Sequence, residues 1–349
     1  MNVKVLLLLL WLPGAAFAQG FAGLGRDADE FADPQRGTTL RFPQDHLAHP
    51  MYRIEWWYVT ATLSGADGRD YGVQWTLFRS ALRPEDDAGT HQIWMGHAGL
   101  TTSDQHYAAE RRARSGLGVA GVEPAPLHAF IDDWSMRSTA HSGDPLDELT
   151  LTARMPQVAY DLTLTATGPL VLHGDAGYSQ KSPAGQASYY YSQPFYTVTG
   201  TLDLPQETVA VTGNAWLDRE WSSQPLADDQ TGWDWFSLQF QDGARLMGFG
   251  LRSRNGDHFT SATWIEADGT PIHYGDGDLV LTPLEQTEVA GRTVPTVWRV
   301  QLADKGLDIT TQPLNSSSWM STSFPYWEGP IRFEGSHAGR GYLEMTGYD

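Results

Sequence analysis

A formal net charge of −19 over 349 residues makes this an acidic chain. Nucleic acids and anionic lipid headgroups are bound by basic surfaces, so the charge argues against both as partners. The chain has no cysteine, which excludes disulfide bonds, a lipidated cysteine and a cysteine nucleophile. The fold must therefore be held by its hydrophobic core, which a chain of this length can build.

Residues 1–18 have the features of a cleaved signal peptide. Lys4 precedes an apolar run from Val5 to Leu12, and Ala16-Phe17-Ala18 supplies the small residues of a signal-peptidase site. The run is too short to span a bilayer. We therefore expect cleavage after Ala18, a periplasmic or secreted mature protein that does not span a membrane, and an N-terminal extension over residues 19–39.

The rest of the chain is dominated by strand signals. Two alternating apolar runs, Trp56–Leu63 and Tyr71–Phe78, flank an Asp67-Gly68 turn, which is a strong hairpin signal. Further strand pairs are predicted in chain order: Leu149–Met155 with Tyr160–Ala166, Val198–Leu204 with Thr208–Trp216, Trp235–Phe240 with Arg245–Arg252, and His258–Ile265 with Ile272–Tyr274. Only Pro84–Asp87 and Ala108–Ser115 could hold a turn of helix. Such short, regularly spaced strands predict an all-β sandwich or barrel.

Two stretches share one pattern and indicate a duplication. Residues 57–80 and 235–253 each contain an aromatic strand, an Asp-Gly turn and a second strand that ends in Arg-Ser. Two related β-barrels would fit the length of the chain. The sequence therefore predicts an N-terminal domain over residues 40–197 and a C-terminal domain over residues 198–349.

Acids and tryptophans are concentrated in two neighbouring segments, Gly213–Trp221 and Gly232–Phe236. A carboxylate next to buried indole rings either pairs with a cation or has its proton affinity changed by desolvation. Because side chains alternate along a strand, Asp218 and Glu220 should share one face, opposite Arg219. The two acids could act as proton donor and water-activating base. Equally, they could form structural ion pairs with arginines such as Arg79 or Arg252, and the aromatic residues could simply be core.

Other kinds of site have little support. The chain has no Gly-x-Ser-x-Gly motif and no glycine-rich phosphate loop. Its histidines are scattered singly, without HExxH or HxH spacing, so neither a metal site nor a cofactor is predicted. His97, in Trp94–Leu100, is the histidine of most interest, either as a ligand contact or as a buried core residue.

Several blocks resemble the AttH/CrtC-type lipocalin-like family, which includes secreted predicted hydrolases and carotenoid 1,2-hydratases. The resemblance extends from about residue 40 to the C-terminus, and its blocks occur in the same order as in the family: Glu55–Tyr58, Gly96–Ala98, Ser188–Ser192, Ala215–Trp221, Gly232–Phe236 and Gly341–Tyr348. It implies two tandem lipocalin-like β-barrels packed together. It also implies an association with an ABC transporter permease and ATPase.

The resemblance also bears on activity. The carotenoid hydratases of the family add water to a terminal double bond of an acyclic carotenoid, without a redox cofactor. They carry a histidine where this chain has Arg219, and in this respect the chain resembles the secreted subgroup. Arginine does not deliver a proton at neutral pH.

Two functions follow as hypotheses. The preferred one, which needs no catalytic histidine, is a carrier that binds a small apolar ligand, lipid-like or polyene-like. Its contacts would be Glu55, Trp57, His97, Tyr190, Trp221, Trp233, Asp234 and Trp235. The alternative is a cofactor-independent enzyme of the hydratase or hydrolase type, with Asp218 and Glu220 as acid and base. A purely structural role, the third possibility, predicts filled barrels.

Overall fold

The computed structural model describes residues 28–84 and 91–348. In these ranges the chain forms two antiparallel β-sheets and two isolated 3-10 turns, Gln44–His46 and Ala303–Lys305, with no α-helix. The all-β prediction is confirmed. Neither of these described helical turns is long or apolar enough to cross a membrane. The predicted signal peptide lies outside the described residues.

The first sheet has 13 strands. They are β1 (Ile54–Gly65), β2 (Asp70–Ala81), β3 (Gln92–Thr101), β4 (His106–Arg114), β5 (Ala120–Pro124), β6 (Leu127–Ile131), β7 (Trp134–Ser138), β8 (Glu148–Arg154), β9 (Ala159–Ala166), β10 (Val171–Leu172), β11 (Tyr178–Gln180), β12 (Ala187–Asp203) and β13 (Thr208–Ser222). Their order is β4-β3-β2-β1-β13-β12-β9-β8-β7-β6-β5, and β10 and β11 both pair with β12.

The second sheet has 10 strands. They are β14 (Gln230–Phe240), β15 (Arg245–Ser253), β16 (His258–Ile265), β17 (Pro271–Tyr274), β18 (Leu279–Val289), β19 (Arg292–Leu302), β20 (Leu307–Pro313), β21 (Trp319–Met320), β22 (Tyr326–Gly335) and β23 (Gly339–Met345). Their order is β17-β16-β15-β14-β23-β22-β20-β19-β18, and β21 pairs with β22.

The two sheets follow the same plan, which supports the predicted duplication. In each, the first four strands form a meander, and the last strand of the unit pairs with the first: β13 with β1, and β23 with β14. The first sheet curves into a nearly closed barrel and the second into a half-barrel, consistent with two lipocalin-like barrels. Arg111 of β4 donates to the carbonyl of Ile131 on β6, so the two ends of the first sheet approach each other.

Both Asp-Gly turns of the duplicated hairpins are present. Gly68 and Gly243 have φ angles of +81° and +96°, which an L-residue with a side chain rarely adopts. The predicted strands on either side are confirmed as β1 with β2 and β14 with β15. Glycine is therefore needed at these two turns because the hairpin demands a left-handed backbone there.

The structure differs from two predictions about the organisation of the chain. The boundary at 197/198 falls inside β12, because the first sheet continues through β13 and the chain changes sheets between Ser222 and Gln230. The helical turn at Ala108–Ser115 is wrong: this segment belongs to β4. Tyr107, Ala109 and Ala113 pack on the first core, and their even spacing fits a strand. The other helical candidate lies mostly outside the described residues.

Buried apolar side chains form three clusters. One fills the first barrel, where Trp57, Trp75, Trp94 and Trp134 are buried, and one lies inside the second. The third lies between the two sheets and defines the inter-barrel interface. Its members are Tyr58, Val171, Tyr190, Phe195, Trp216, Leu226, Trp235, Met247, Phe249, Leu251, Phe259, Ile265 and Tyr342.

Candidate functional site

Strand β13 separates the predicted site residues by face. Trp216, Asp218 and Glu220 point into the inter-barrel interface, whereas Arg219 and Trp221 point into the first barrel. This is the alternation expected of a strand. The sequence-predicted residues therefore belong to different environments, and the acids at the interface are separated from the arginine beside them.

Asp218 is a deeply buried acid that lacks a cationic partner among the described residues. Its Oδ1 accepts hydrogen bonds from the Ser192 hydroxyl and, at 2.9 Å, from the indole N–H of Trp216. Its Oδ2 has no hydrogen-bond partner in the described part of the chain. Burial raises the pKa of Asp218 to about 7, although the hydrogen bonds from Ser192 and Trp216 oppose the shift. An acid of this kind can hold a proton near neutral pH.

Glu220 lies two residues further along the same face and has a different partner. The Lys181 ammonium is 2.8 Å from its Oε1, and the Ser188 hydroxyl donates to the same oxygen at 2.5 Å. Lys181 also lies over the rings of Tyr190 and Phe249, at 4.9 and 4.2 Å from their centroids. A cation thus balances the charge of Glu220, which is only 6% exposed.

Two more acids, which the sequence analysis did not select, reach the interface from the second sheet. Glu328 on β22 accepts a short hydrogen bond from the Tyr58 hydroxyl. Burial, and then the charge of Glu344, raises its pKa well above the usual value. Glu328 directly follows Trp327, and an acid close to a tryptophan in sequence is the pattern by which Asp218 was selected. Glu344 lies in the closing block of the family resemblance, where no role had been given to it.

Glu344 connects the acids of the two sheets. Its Oε1 accepts a hydrogen bond from the indole N–H of Trp233 at 2.5 Å. Although part of the residue is exposed, desolvation of its carboxyl group raises the pKa to about 7, and the negative charges of Asp218 and Glu220 add to the shift. The four carboxyl groups therefore form one electrostatically coupled cluster, contributed by both halves of the molecule.

Aromatic side chains surround this acid cluster. The Trp235 indole N–H donates to the Tyr190 hydroxyl at 3.0 Å, a direct bond between the two sheets. The rings of Tyr58 and Trp235 meet edge to face, with centroids 5.4 Å apart. Burial raises the pKa of both tyrosines well above the usual value, so their hydroxyls remain protonated donors.

His97 also reaches the interface, at its β3 side. Its Nδ1 is 3.0 Å from the Tyr326 hydroxyl, and the two rings stack with centroids 5.6 Å apart. Its Nε2 is 3.5 Å from a carboxylate oxygen of Glu110. Burial lowers the pKa of His97, whereas Glu110 opposes the shift. These contacts match the core-histidine alternative.

Three of the predicted ligand contacts belong instead to an ion network inside the first barrel. Glu55 binds the Arg79 guanidinium in a short contact and Arg219 at 3.1 Å. Arg219 lies over the ring of Trp57, 3.8 Å from its centroid, and over Trp221. Burial alone would raise the pKa of Glu55, but Arg79, His49 and Arg219 outweigh it and lower the pKa strongly. This network is the structural pairing that the sequence left open, with Glu55 in place of Asp218.

Asp234 has a similar role in the second half. The Arg252 guanidinium is 2.6 Å from its Oδ1, and the Tyr348 hydroxyl donates to the same atom at 2.8 Å. Both arginines named as possible partners of Asp218 and Glu220 are thus engaged by other acids. Within residues 28–84 and 91–348, no group of three or more His, Asp or Glu side chains is arranged to hold a metal ion.

Comparison with known proteins gives consistent results. The AttH-like family model matches residues 33–348. A crystal structure of a protein assigned as AttH from Nitrosomonas europaea superposes with a TM-score of 0.81 at 32% identity, covering 91% of this chain and 99% of that one. Kievitone hydratase from Nectria haematococca shares the fold, with a TM-score of 0.67 at 18% identity and coverage of 92% and 98%. No curated protein sequence matches the chain.

Proposed function

This chain belongs to the AttH-like family, and we propose that it adds water to, or removes water from, a carbon–carbon double bond of a small apolar molecule. The observation that carries the proposal is the contrast between Asp218 and Glu220. They share one face of β13, but only Glu220 has a cation against it among the described residues. A buried acid without a cation, beside one that is paired with a lysine, provides a general acid and a general base.

In the hydration direction, Asp218 is the acid. It delivers its proton to one carbon of the double bond, and positive charge develops on the other. The indole faces of Trp216 and Trp235 stabilise this charge by about 0.5–2 kcal/mol for each contact. Burial in an apolar environment favours the neutral acid beforehand, so the proton is available where the substrate binds.

Glu220 is the base in the same step. Its carboxylate, with its charge balanced by Lys181, accepts a proton from the water that attacks the carbocation. Dehydration is the reverse sequence: the protonated Glu220 donates its proton to the departing hydroxyl, and the Asp218 carboxylate removes the proton from the neighbouring carbon. Neither direction involves a net oxidation or reduction, and no cofactor is required.

The inter-barrel interface is the preferred place for the substrate. The interior of the first barrel is occupied by buried tryptophans, and Glu55 there is already held by two arginines. The interface combines apolar side chains with acids that have unused hydrogen-bonding capacity. Trp233 packs against the interface cluster and is partly exposed, so a small apolar molecule would approach from that side.

Kievitone hydratase shares this fold, and its hydratase activity supports the type of reaction proposed here. Its substrate is not carried over to this chain. Binding without turnover is a second candidate, because the same aromatic lining would hold a lipid-like or polyene-like guest. Secretion, a carrier role and an association with an ABC transporter stay predictions of the sequence.

Incubation in water labelled with oxygen-18 tests the enzymatic proposal. Acyclic carotenoids and shorter acyclic terpenes are the probes, and mass spectrometry detects uptake of one labelled oxygen. We expect turnover by the wild type and its loss in Asp218→Asn, with Asp308→Asn as a surface control. No uptake by the wild type, combined with apolar molecules extracted from the purified protein, would support binding alone. Full activity of Asp218→Asn would contradict the proposed role of Asp218.

A further inference from the structure

Asp218 is connected to the surface by an unbroken series of hydrogen bonds. Its Oδ1 accepts from Ser192, and the Ser192 hydroxyl is 2.6 Å from Nε2 of His173. His173 Nδ1 is 3.0 Å from the Thr263 hydroxyl, which is 3.2 Å from Nδ1 of His273. The series passes from the first sheet to the second and reaches β17, an edge strand.

Burial along this series makes it a defined path. Ser192, His173 and Thr263 are each 0% exposed, whereas His273 is exposed to solvent. The hydrogen bond from the backbone N–H of His173 to the Tyr190 carbonyl holds the histidine in place. Its ring also packs against the Tyr190 ring, with centroids 4.2 Å apart. The interior members are therefore shielded from water and fixed in position.

One assignment of protons satisfies every link. His273 donates from Nδ1 to Thr263, Thr263 donates to Nδ1 of His173, and His173 donates from Nε2 to Ser192. Ser192 then donates to Asp218. All the donors point toward Asp218, so a proton that enters at His273 can be passed along by successive transfers, each oxygen or nitrogen giving one proton and receiving another.

We propose that His273, Thr263, His173 and Ser192 form a proton relay that reprotonates Asp218 after each turnover. This rests on the proposed function, in which hydration leaves Asp218 as a carboxylate and Glu220 protonated. A proton from water enters at His273 and ends on Asp218, while Glu220 returns its proton to solvent. Charge and protons balance over the cycle, and nothing is oxidised or reduced.

The surrounding charges suit a relay through a neutral histidine. Burial lowers the pKa of His173 well below its usual value, and the nearby His273 and Lys181 lower it further. A histidine that does not retain the proton passes it on. The charge of Glu220 adds to the effect of burial and raises the proton affinity of Asp218 at the receiving end.

The path can be tested without a substrate. A solution of the full-length protein is brought rapidly from about pH 9 to about pH 5, values on either side of the Asp218 pKa. Infrared spectroscopy follows the carboxylic acid band of Asp218, which is assigned from the difference between wild type and Asp218→Asn. We expect Thr263→Val to slow the appearance of this band by about tenfold or more. Thr263→Ser, which keeps the hydroxyl, should retain the wild-type rate.

The controls separate the two proposals. The band of Glu344, identified with Glu344→Gln, should appear at the same rate in all relay variants. If Thr263→Val does not fold, His273→Gln at the exposed end replaces it. An Asp218 band that forms equally fast in the wild type and the relay variants would overturn the relay alone. The absence of any Asp218 band at the lower pH would overturn the neutral acid, and with it the proposed function.

Discussion

Asp218 and Glu220 extend from the same face of one strand, yet Lys181 lies 2.8 Å from Glu220, while Asp218 accepts its hydrogen bonds from Ser192 and Trp216. The difference arises from the groups that contact each carboxyl group, not from the strand itself. Lys181 stands just beyond β11, and Ser192 belongs to β12. The two acids have their contrasting environments because neighbouring strands supply different groups at successive positions of β13.

The buried Asp218 should make the protein less stable as the pH rises. Its folded pKa of about 7 lies above the unfolded value of 3.8, so the native state binds the extra proton between these values. Stability is then lost as the pH rises from about 4 to about 7. We expect Asp218→Asn to gain up to roughly 4 kcal/mol relative to wild type above this window, and nothing below about pH 4. Urea unfolding across this pH range measures it. An equal difference at both ends would contradict the raised pKa.

Glu55 should have the opposite pH dependence. Its folded pKa lies below the usual value of 4.5, so its contribution to stability is present above that value and is lost as the pH falls further. Glu55→Gln leaves Arg79 and Arg219 buried without their carboxylate and should cost about 3–5 kcal/mol at neutral pH. The difference from wild type should shrink below about pH 4.5. Water-addition chemistry should persist in whatever fraction remains folded; its specific loss would mean that Glu55 acts in the site.

Removing the cation beside Glu220 should destabilise the interface. Lys181→Met leaves a buried carboxylate without its partner, and we expect a loss of about 3–5 kcal/mol in the free energy of unfolding. Lys305→Met is the matched control, because Lys305 contacts Glu266 at 2.6 Å in a more exposed pair. It should cost less than about 1 kcal/mol. Comparable losses in the two variants would show that the Lys181–Glu220 pair contributes no more to the free energy of unfolding than an exposed pair does.

The bond between Trp235 and Tyr190 should couple the two barrels. Tyr190→Phe leaves the buried indole N–H without its acceptor, which should cost about 1–3 kcal/mol. A double-mutant cycle with Trp235→Phe should give a coupling free energy of about 0.5–1.5 kcal/mol. Chemical denaturation of the four proteins supplies the values. A coupling indistinguishable from zero would mean that this bond does not hold the interface together.

Local patterns were sufficient for much of the fold. The Asp-Gly turns and alternating runs predicted β1 with β2 and β14 with β15, because a hairpin is determined by residues near one another in sequence. Alternation also placed Asp218 and Glu220 on one face. The same reasoning failed at Ala108–Ser115, where polar and charged residues obscured the period of two.

The partners of the acids could not be predicted in this way. Glu55 was predicted to contact a ligand and is held by Arg79 and Arg219. Asp218, for which pairing with an arginine was one of the two alternatives, has no arginine partner among the described residues. Arg219 is adjacent to Asp218 in sequence but points into the first barrel, whereas Asp218 points into the inter-barrel interface. Sequence proximity therefore gave no guide to the pairing of charges.

By itself, the sequence determined the strand-rich architecture, its repeated hairpin and the presence of acids among indoles, since each follows from neighbouring residues. Only the tertiary structure decided which acids come together, because Glu328 and Glu344 lie on β22 and β23 and reach the inter-barrel interface through the packing of one sheet on the other. Burial, which sets the proton affinity of a carboxyl group, is likewise a property of that packing and of no single segment.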